Sequence, residues 1–407
     1  MTCATIDHVF HVLRNLDPGT SWNARYPSEV LMQRLSSIKR LSLNVDIISG
    51  AAYPDFQGRT NMEPALNLPG IEELELSIPD RAGSGTRVRP GAGIALPFMS
   101  IERQRLVNNV RPTNITKVVL RHSVEALYSL EPLLSCTPQL KSLTYDFFYD
   151  HKERDLAASP WIDLSRFSDF LPRCLEVLVF SVEHCDTGTY HFKQPRFGEK
   201  LHGYLDLTNF AKLHTLEVPI PFLTGDPEFL LSTDIYPLFP PALRHLSLRT
   251  DMTHAQYTFP FDSSSMPRGL TFQESEDEAR CSGHARMDVS YMYHAVLSLL
   301  DFATDLETIS VWQPAEASLS WFDGQVTDFA QTCRNKSISG HLVYPMLLRW
   351  KHRDHWNLVK DVAVYDPLRP LADPVESLCR GERDGVPLGL ASQFHLHALR
   401  RGQVRLR

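Results

Sequence analysis

Cys281-Ser-Gly-His284 puts a thiol and an imidazole at metal-ligand spacing, yet a closed zinc site takes about four converging ligands. No second such pair accompanies it, and Cys174 and Cys185 stand far apart with no C-x-x-C between them. His352-Arg-Asp354-His355 and His395-Leu-His397 are two more short groupings; taken singly they read as surface histidines, so no metal ligand is assigned. Gly83-Ser-Gly85 and Gly91-Ala-Gly93 have the glycines of a phosphate-binding turn. They lack the strand before and the helix after that would aim backbone N–H groups at an anion. A nucleophile needs a strained turn or an adjacent base, and no Gly-x-Ser-x-Gly occurs. His352-Arg-Asp354 shares three letters with a kinase catalytic loop but not its downstream partners. Glu72 with Glu73, and Asp277 with Glu278, are neighbours in sequence, so on a strand they face opposite sides. No catalytic residue and no cofactor is assigned, and a small-molecule enzyme or metal protein built on insertions stays as the competing class.

Whatever holds a site in this chain must be built from one recurring phrase: apolar, two variable, apolar, one variable, apolar. It occurs at Ile38-Leu41-Leu43, Ile71-Leu74-Leu76, Ile115-Val118-Leu120, Leu140-Leu143-Tyr145, Leu175-Leu178-Phe180, Leu213-Leu216-Val218, Leu243-Leu246-Leu248 and Leu306-Ile309-Val311. Helix-compatible apolar stretches precede most of them: Ser28 to Ser36, Leu164 to Leu171, Leu207 to Ala211, Ile235 to Phe239 and Met292 to Ala303, and within Val124 to Asp146 a short apolar helical pattern meets a Pro-containing turn before the phrase. Thr5 to Leu16 has helical spacing as well. Each helix-turn-strand unit has too little core to stand alone and must stack on its neighbours. The helical side is wider than the strand side, which predicts a curved array with parallel strands inside and helices outside.

Strand alternation then sends the second and third apolar residues of each phrase inward and the intervening ones to the other face. That face is predicted to carry Arg40, Ser42, Asn44, Glu73, Glu75, Lys117, Arg121, Ser142, Thr144, Asp146, Val177, Val179, Thr215, Glu217, His245, Ser247, Arg249, Thr308, Ser310 and Trp312. Of these, Arg40, Glu73, Glu75, Lys117, Arg121, Asp146, Glu217, His245, Arg249 and Trp312 are the expected partner-binding residues. Arg and Trp are enriched among residues that dominate interface energetics. A curved array without chemistry generally serves to hold a partner. The expected function is a noncatalytic protein-recognition module.

The phrases resemble those of leucine-rich-repeat proteins, within them the irregular kind found in fungal F-box-like proteins. The resemblance covers Ser28 to Gln313, and Tyr291 to Leu306 followed by Glu307-Thr-Ile309-Ser-Val311 matches best. It implies a leucine-rich-repeat-like α/β solenoid with a protein partner, and as an alternative a degenerate F-box-like substrate receptor that binds a ubiquitin-ligase adaptor. Two departures stand out. The phrases start 25 residues apart at the closest (Ile115 to Leu140) and 63 at the widest (Leu243 to Leu306), against about 20 to 29 in regular arrays. The Asn or Cys usual after the third Leu is mostly missing, although Asn44 follows Leu43. The nearest counterpart of an F-box opening is Tyr26-Pro-Ser-Glu-Val-Leu-Met32, which coincides with the helix before the first phrase, so no F-box is recognised.

Residues 1–336 are expected to form the array, with insertions at about 79–112 and 250–287. The second carries Ser263-Ser-Ser265 and Glu274-Ser-Glu-Asp-Glu278 and is expected to be a functional or disordered loop. Residues 337–407 are expected to form an atypical C-terminal cap, with strands at Leu342 to Trp350 and Val359 to Val364, and a tail. A length of 407 residues suits two domains or one extended array. A net charge of -7 gives no attraction to a polyanion, so nucleic acid is not an expected partner. Seven cysteines without common spacing (Cys3, Cys136, Cys174, Cys185, Cys281, Cys333 and Cys379) suit a reducing compartment. No leader-like start and no apolar run of membrane-spanning length occurs. The expected placement is cytoplasmic or nuclear, away from membranes.

Overall fold

The computed structural model describes residues 4–5, 39–44, 70–77, 113–123, 130–150, 162–185, 201–224, 238–253, 272–314, 320–347, 357–368 and 375–381. Each of the eight phrases is a strand: β2 (Arg40–Asn44), β3 (Glu73–Ser77), β4 (Lys117–Ser123), β5 (Ser142–Asp150), β7 (Val177–Cys185), β9 (Thr215–Pro219), β10 (His245–Arg249) and β11 (Thr308–Trp312). The short β1 (Ala4–Thr5) precedes them, and β12 (Ser339–Leu347), β13 (Asn357–Tyr365) and β14 (Val375–Gly381) follow. These twelve make one sheet whose strand order is the order of the chain. A separate two-stranded sheet pairs β6 (Ile162–Asp163) with β8 (Leu201–His202). From β1 to β12 all pairs are parallel; β13 and β14 then add antiparallel. The protein is an α/β fold with a mostly parallel open sheet and few helices.

One backbone device repeats at each step from β2 to β11. The carbonyl of the residue before each strand accepts from two successive N–H groups of the next unit: Lys39 from Glu72 and Glu73, Glu72 from Thr116 and Lys117, Thr116 from Lys141 and Ser142, and so on to Arg244 from Glu307 and Thr308. A tight turn leads into several strands, closing on the first apolar residue of the phrase. Leu140, Leu175, Leu213 and Leu243 donate from N–H to the carbonyls of Thr137, Pro172, Phe210 and Pro240. Prolines suit such turns because their φ is already set.

The shared register aligns like with like. Leu41, Leu74, Val118, Leu143, Leu178, Leu216, Leu246 and Ile309 form one row across the sheet, and all are buried. Two strand positions on, Leu120, Tyr145, Phe180, Val218, Leu248 and Val311 form a second buried row. Burying each such side chain is worth about 1.5–3 kcal/mol, so the rows, not any one unit, hold the array. Where the second row turns aromatic, two short helices bring rings to meet it. Phe167 of α2 (Leu164–Phe170) lies 5.9 Å from Phe180, and Phe222 of α3 (Ile220–Thr224) lies 4.6 Å from it. α1 (Glu131–Cys136) buries Leu133 and Leu134 in the same core.

One helical expectation changes, and those at 5–16, 28–36 and 235–239 fall mostly or wholly outside the described residues. Residues 207–211 are not helical: Leu207, Phe210 and Leu213 are buried through consecutive turns, a spacing of three that turns satisfy as well as a helix does. Residues 238 and 239 are in neither a helix nor a strand, and the rest of that stretch lies outside the described residues. Thr5 belongs to β1, while the rest of Thr5 to Leu16 and all of Ser28 to Ser36 lie outside the described residues.

The second insertion is not a loop throughout. Thr250, Asp251 and Thr253 are buried, and residues 272–287 are the first half of α4 (Phe272–Phe302). Helical backbone hydrogen bonds are local, each N–H bonding the carbonyl four residues earlier, so an acidic start does not prevent a helix from forming. The first insertion, 79–112, lies outside the described residues. The parallel run also continues one strand past the expected boundary at 336, through α5 (Asp323–Lys336) into β12. The strands expected at Leu342 to Trp350 and Val359 to Val364 are β12 and β13, and β14 adds to them antiparallel without having been expected; the C-terminal tail beyond residue 381 lies outside the described residues. Among the described residues no helix is long and apolar enough to cross a membrane.

Candidate functional site

The face opposite the leucine rows was expected to meet solvent, and for most of its width it does not. Asp146, Glu217, Arg249 and Trp312 are only 3%, 6%, 5% and 4% exposed, which corrects their expected role as partner-facing residues. Val119, Thr144, Val179, Ser247 and Ser310 beside them are buried too. Parallel sheets are generally covered on both faces, because their crossovers have to run somewhere. Val177 and Val179, two β-branched apolar residues at supposedly outward positions, were the sequence signal for this.

Arg249 organises the covered face. From β10 its guanidinium reaches diagonally to Glu217 on β9, Nη1 to Oε1 at 2.7 Å, and its Nε donates to Asp251 Oδ2 at 2.7 Å. Its Cζ stands 4.1 Å from the centre of the Trp312 ring, a cation–π contact that gains strength when desolvated. Asp251 Oδ2 also accepts from the Val182 N–H at 2.9 Å. The reason lies in β9, which ends at Pro219 and passes into α3, so that β7 runs on past its partner; the carboxylate takes the donor the strand would have taken. Next to it, Ser181 Oγ donates to Asp146 Oδ1 at 3.0 Å. Charges this deep cost several kcal/mol each to desolvate and persist only when paired. The cluster is therefore a structural clasp across β5, β7, β9, β10 and β11.

Among the described residues five polar atoms of the same face have no hydrogen-bond partner: Thr144 Oγ1, His245 Nδ1, Ser247 Oγ, Ser310 Oγ and Trp312 Nε1. Each such orphan costs about 1–3 kcal/mol.

At the end of the parallel run three side chains form a hydrogen-bonded chain. Ser339 and His341 stand two apart on β12 and so share a face; Ser339 Oγ and His341 Nε2 are 3.0 Å apart. His341 Nδ1 is 3.0 Å from Asp361 Oδ1 on β13. The carboxylate is almost fully buried, the imidazole is 13% exposed, and Ser339 is partly exposed. Two features fix the strand here. Gly340, between the two residues, faces the core with its Cα against α5; a Cβ there would lie 2.7 Å from Cys333 Sγ. The β12–β13 register slips by one residue between Gly340 and His341, and bulges of this kind re-aim side chains. No sequence motif announces the trio, because Asp361 lies on the next strand and no residue pattern links the two.

The remaining expected residues sit where the face opens. Arg40 is exposed; Glu73, Glu75, Lys117 and His245 are partly so. Arg40 pairs with Glu75 at 3.2 Å and Glu73 at 3.7 Å. Arg121 is on β4, with its side chain outside what is described. Just before the strands runs a row of alternating charge whose neighbours pair: Lys39 with Glu72 at 2.7 Å, Lys141 with Glu176 at 3.0 Å, Arg244 with Glu307 at 3.4 Å.

Burial lowers the pKa of His245, with Glu307 opposing and His214 and Arg244 adding to the shift. Burial pushes the Cys333 thiol up to about 12 and raises Cys136, so neither is a ready nucleophile. Among the described residues no group of three or more His, Cys, Asp and Glu could hold a metal ion. Cys281 and His284 fall within α4, and His352, Asp354, His355, His395 and His397 lie outside the described residues. No protein-family model matches the chain, and no curated protein matches it either.

Proposed function

We propose that the chain is a leucine-rich-repeat-like recognition module that binds a partner protein, and that the contact surface is the strand-start edge rather than the centre of the polar face. The observation behind this reading is the single register of eight phrases. It brings Arg40, Glu73 and Lys117 into one row beside the exposed charged row of Lys39, Glu72, Lys141, Glu176, Arg244 and Glu307. A rigid row of alternating charges offers a partner geometric complementarity, which governs specificity and on-rate more than raw affinity. The buried clasp around Arg249 keeps the strands beneath that row in step. Adaptor recruitment to a ubiquitin ligase would rest on Tyr26 to Met32, which lies outside the described residues, and no observation favours it.

The test is affinity purification from the native cell with the wild-type chain and an Arg40→Glu, Lys117→Glu variant, partners being identified by mass spectrometry. The variant should lose proteins that the wild type retains while keeping the wild-type circular dichroism spectrum. An identical partner set for a folded variant would refute the placement of the interface.

A further inference from the structure

We propose that Ser339, His341 and Asp361 form a hydrolytic site in which Ser339 is the acyl-accepting nucleophile and the substrate is a small neutral carboxylic ester. The hydrogen bonds run in one direction. With the imidazole proton on Nδ1 directed to Asp361, 3.0 Å away, Nε2 is the nearer acceptor for the Ser339 hydroxyl, at 3.0 Å, against 3.5 Å for the Tyr365 carbonyl. Both distances lie within the range for a nucleophile, its base and the group that orients the base. The orienting carboxylate is buried, while the base and the hydroxyl-bearing residue are both partly exposed.

The surroundings set the substrate class. On the same face, Thr308 and Ser310 are the register partners of Ser339 and His341 on β11, and Ala363 is the partner of His341 on β13. All three are small and uncharged, which suits a short neutral acyl group. The nearest buried cation on this face, Arg249, is committed to Glu217 and Asp251 and so does not invite a phosphate. Ser310 Oγ, buried and without a hydrogen-bond partner, is one strand away and supplies a hydroxyl donor for the developing oxyanion.

The reaction balances with water as the sole co-reactant. Ser339 Oγ bonds to the ester carbonyl carbon as its proton moves to His341 Nε2. The bond from that carbon to the leaving oxygen then breaks, and the departing alcohol takes the proton from Nε2. Water adds to the acyl-enzyme, giving a proton to Nε2; the carboxylic acid leaves and the proton returns to Ser339 Oγ. Asp361 is a positioning residue that acts through the imidazole. This activity is separate from partner recognition and uses none of the residues proposed for it.

The experiment treats the full chain with a fluorophosphonate probe and locates the adduct by peptide mass spectrometry, alongside hydrolysis of p-nitrophenyl acetate. One adduct per chain is expected, on Ser339, and Ser339→Ala should abolish both labelling and turnover. His341→Gln should lower the labelling rate about 10²-fold or more, the range for loss of a general base. Asp361→Asn should lower kcat while leaving KM unchanged, a split that mere loosening of the strand would not produce. If the folded wild type gives no adduct on Ser339, or if Ser339→Ala hydrolyses the ester as fast as wild type, the site is only a hydrogen-bonded cap on the last parallel strand. A variant that loses its native circular dichroism is replaced by Ser339→Cys, which keeps the size of the side chain; retention of full fluorophosphonate labelling at another residue would also overturn the proposal.

Discussion

Arg249→Met would leave Glu217 and Asp251, both buried, without the cation that each meets at 2.7 Å. Breaking a buried pair by removing one partner costs about 3–5 kcal/mol, and urea unfolding of the variant should show a loss of that size. Arg244→Met is the matched control: its partner is Glu307 and both side chains are more than half exposed, so the same measurement should register less than about 1 kcal/mol. The two arginines belong to the same phrase. Arg249 lies on β10 with the parity of His245 and Ser247, whereas Arg244 precedes the strand, but only the covering of that face decides which arginine matters.

Among the elements, β12 is the most constrained. A Cβ at residue 340 would meet Cys333 Sγ at 2.7 Å and the Phe329 ring at 3.4 Å, both from α5. Gly340→Ala should therefore destabilise by about 1–3 kcal/mol, the usual cost of overpacking. Combining it with Cys333→Ala should recover part of that loss. Denaturant unfolding of the two single variants and the double variant would show the coupling, and strict additivity would mean that the thiol is not what the added methyl strikes. The strand itself was expected from apolar residues at Leu342 onward; its early start at Ser339 and its place in the parallel run were not. α5 escaped notice because only Phe329 and Cys333 of its side chains are buried, too sparse a stripe to stand out from the sequence.

For the whole molecule, the depressed pKa of His245 makes stability depend on pH in a definite direction. In the unfolded chain its imidazole titrates near the ordinary value of about 6.5; in the fold, burial holds it lower, with Glu307, His214 and Arg244 as its charged neighbours. As pH falls below the unfolded value, the unfolded state takes up the proton first and the folded state loses stability, until the folded group also titrates. The thermal midpoint of His245→Gln should accordingly fall less than that of wild type between about pH 7.5 and 5.5. An equal fall in both would assign the acid sensitivity to other groups.

Periodicity in the chain was enough to locate all eight strands, their parallel order and their inward rows, because a phrase of fixed spacing on a strand has only one way to hide its leucines. It could also place Arg40, Glu73 and Lys117 in one row. It could not say which face of the sheet would stay open: alternation distinguishes two faces, and whether the second is covered depends on segments far away in the chain. Nor could it assemble Ser339 and His341 with Asp361, since that meeting depends on an antiparallel register and a one-residue slip between β12 and β13. Strand positions follow from local spacing, whereas burial and side-chain company follow from what packs against them.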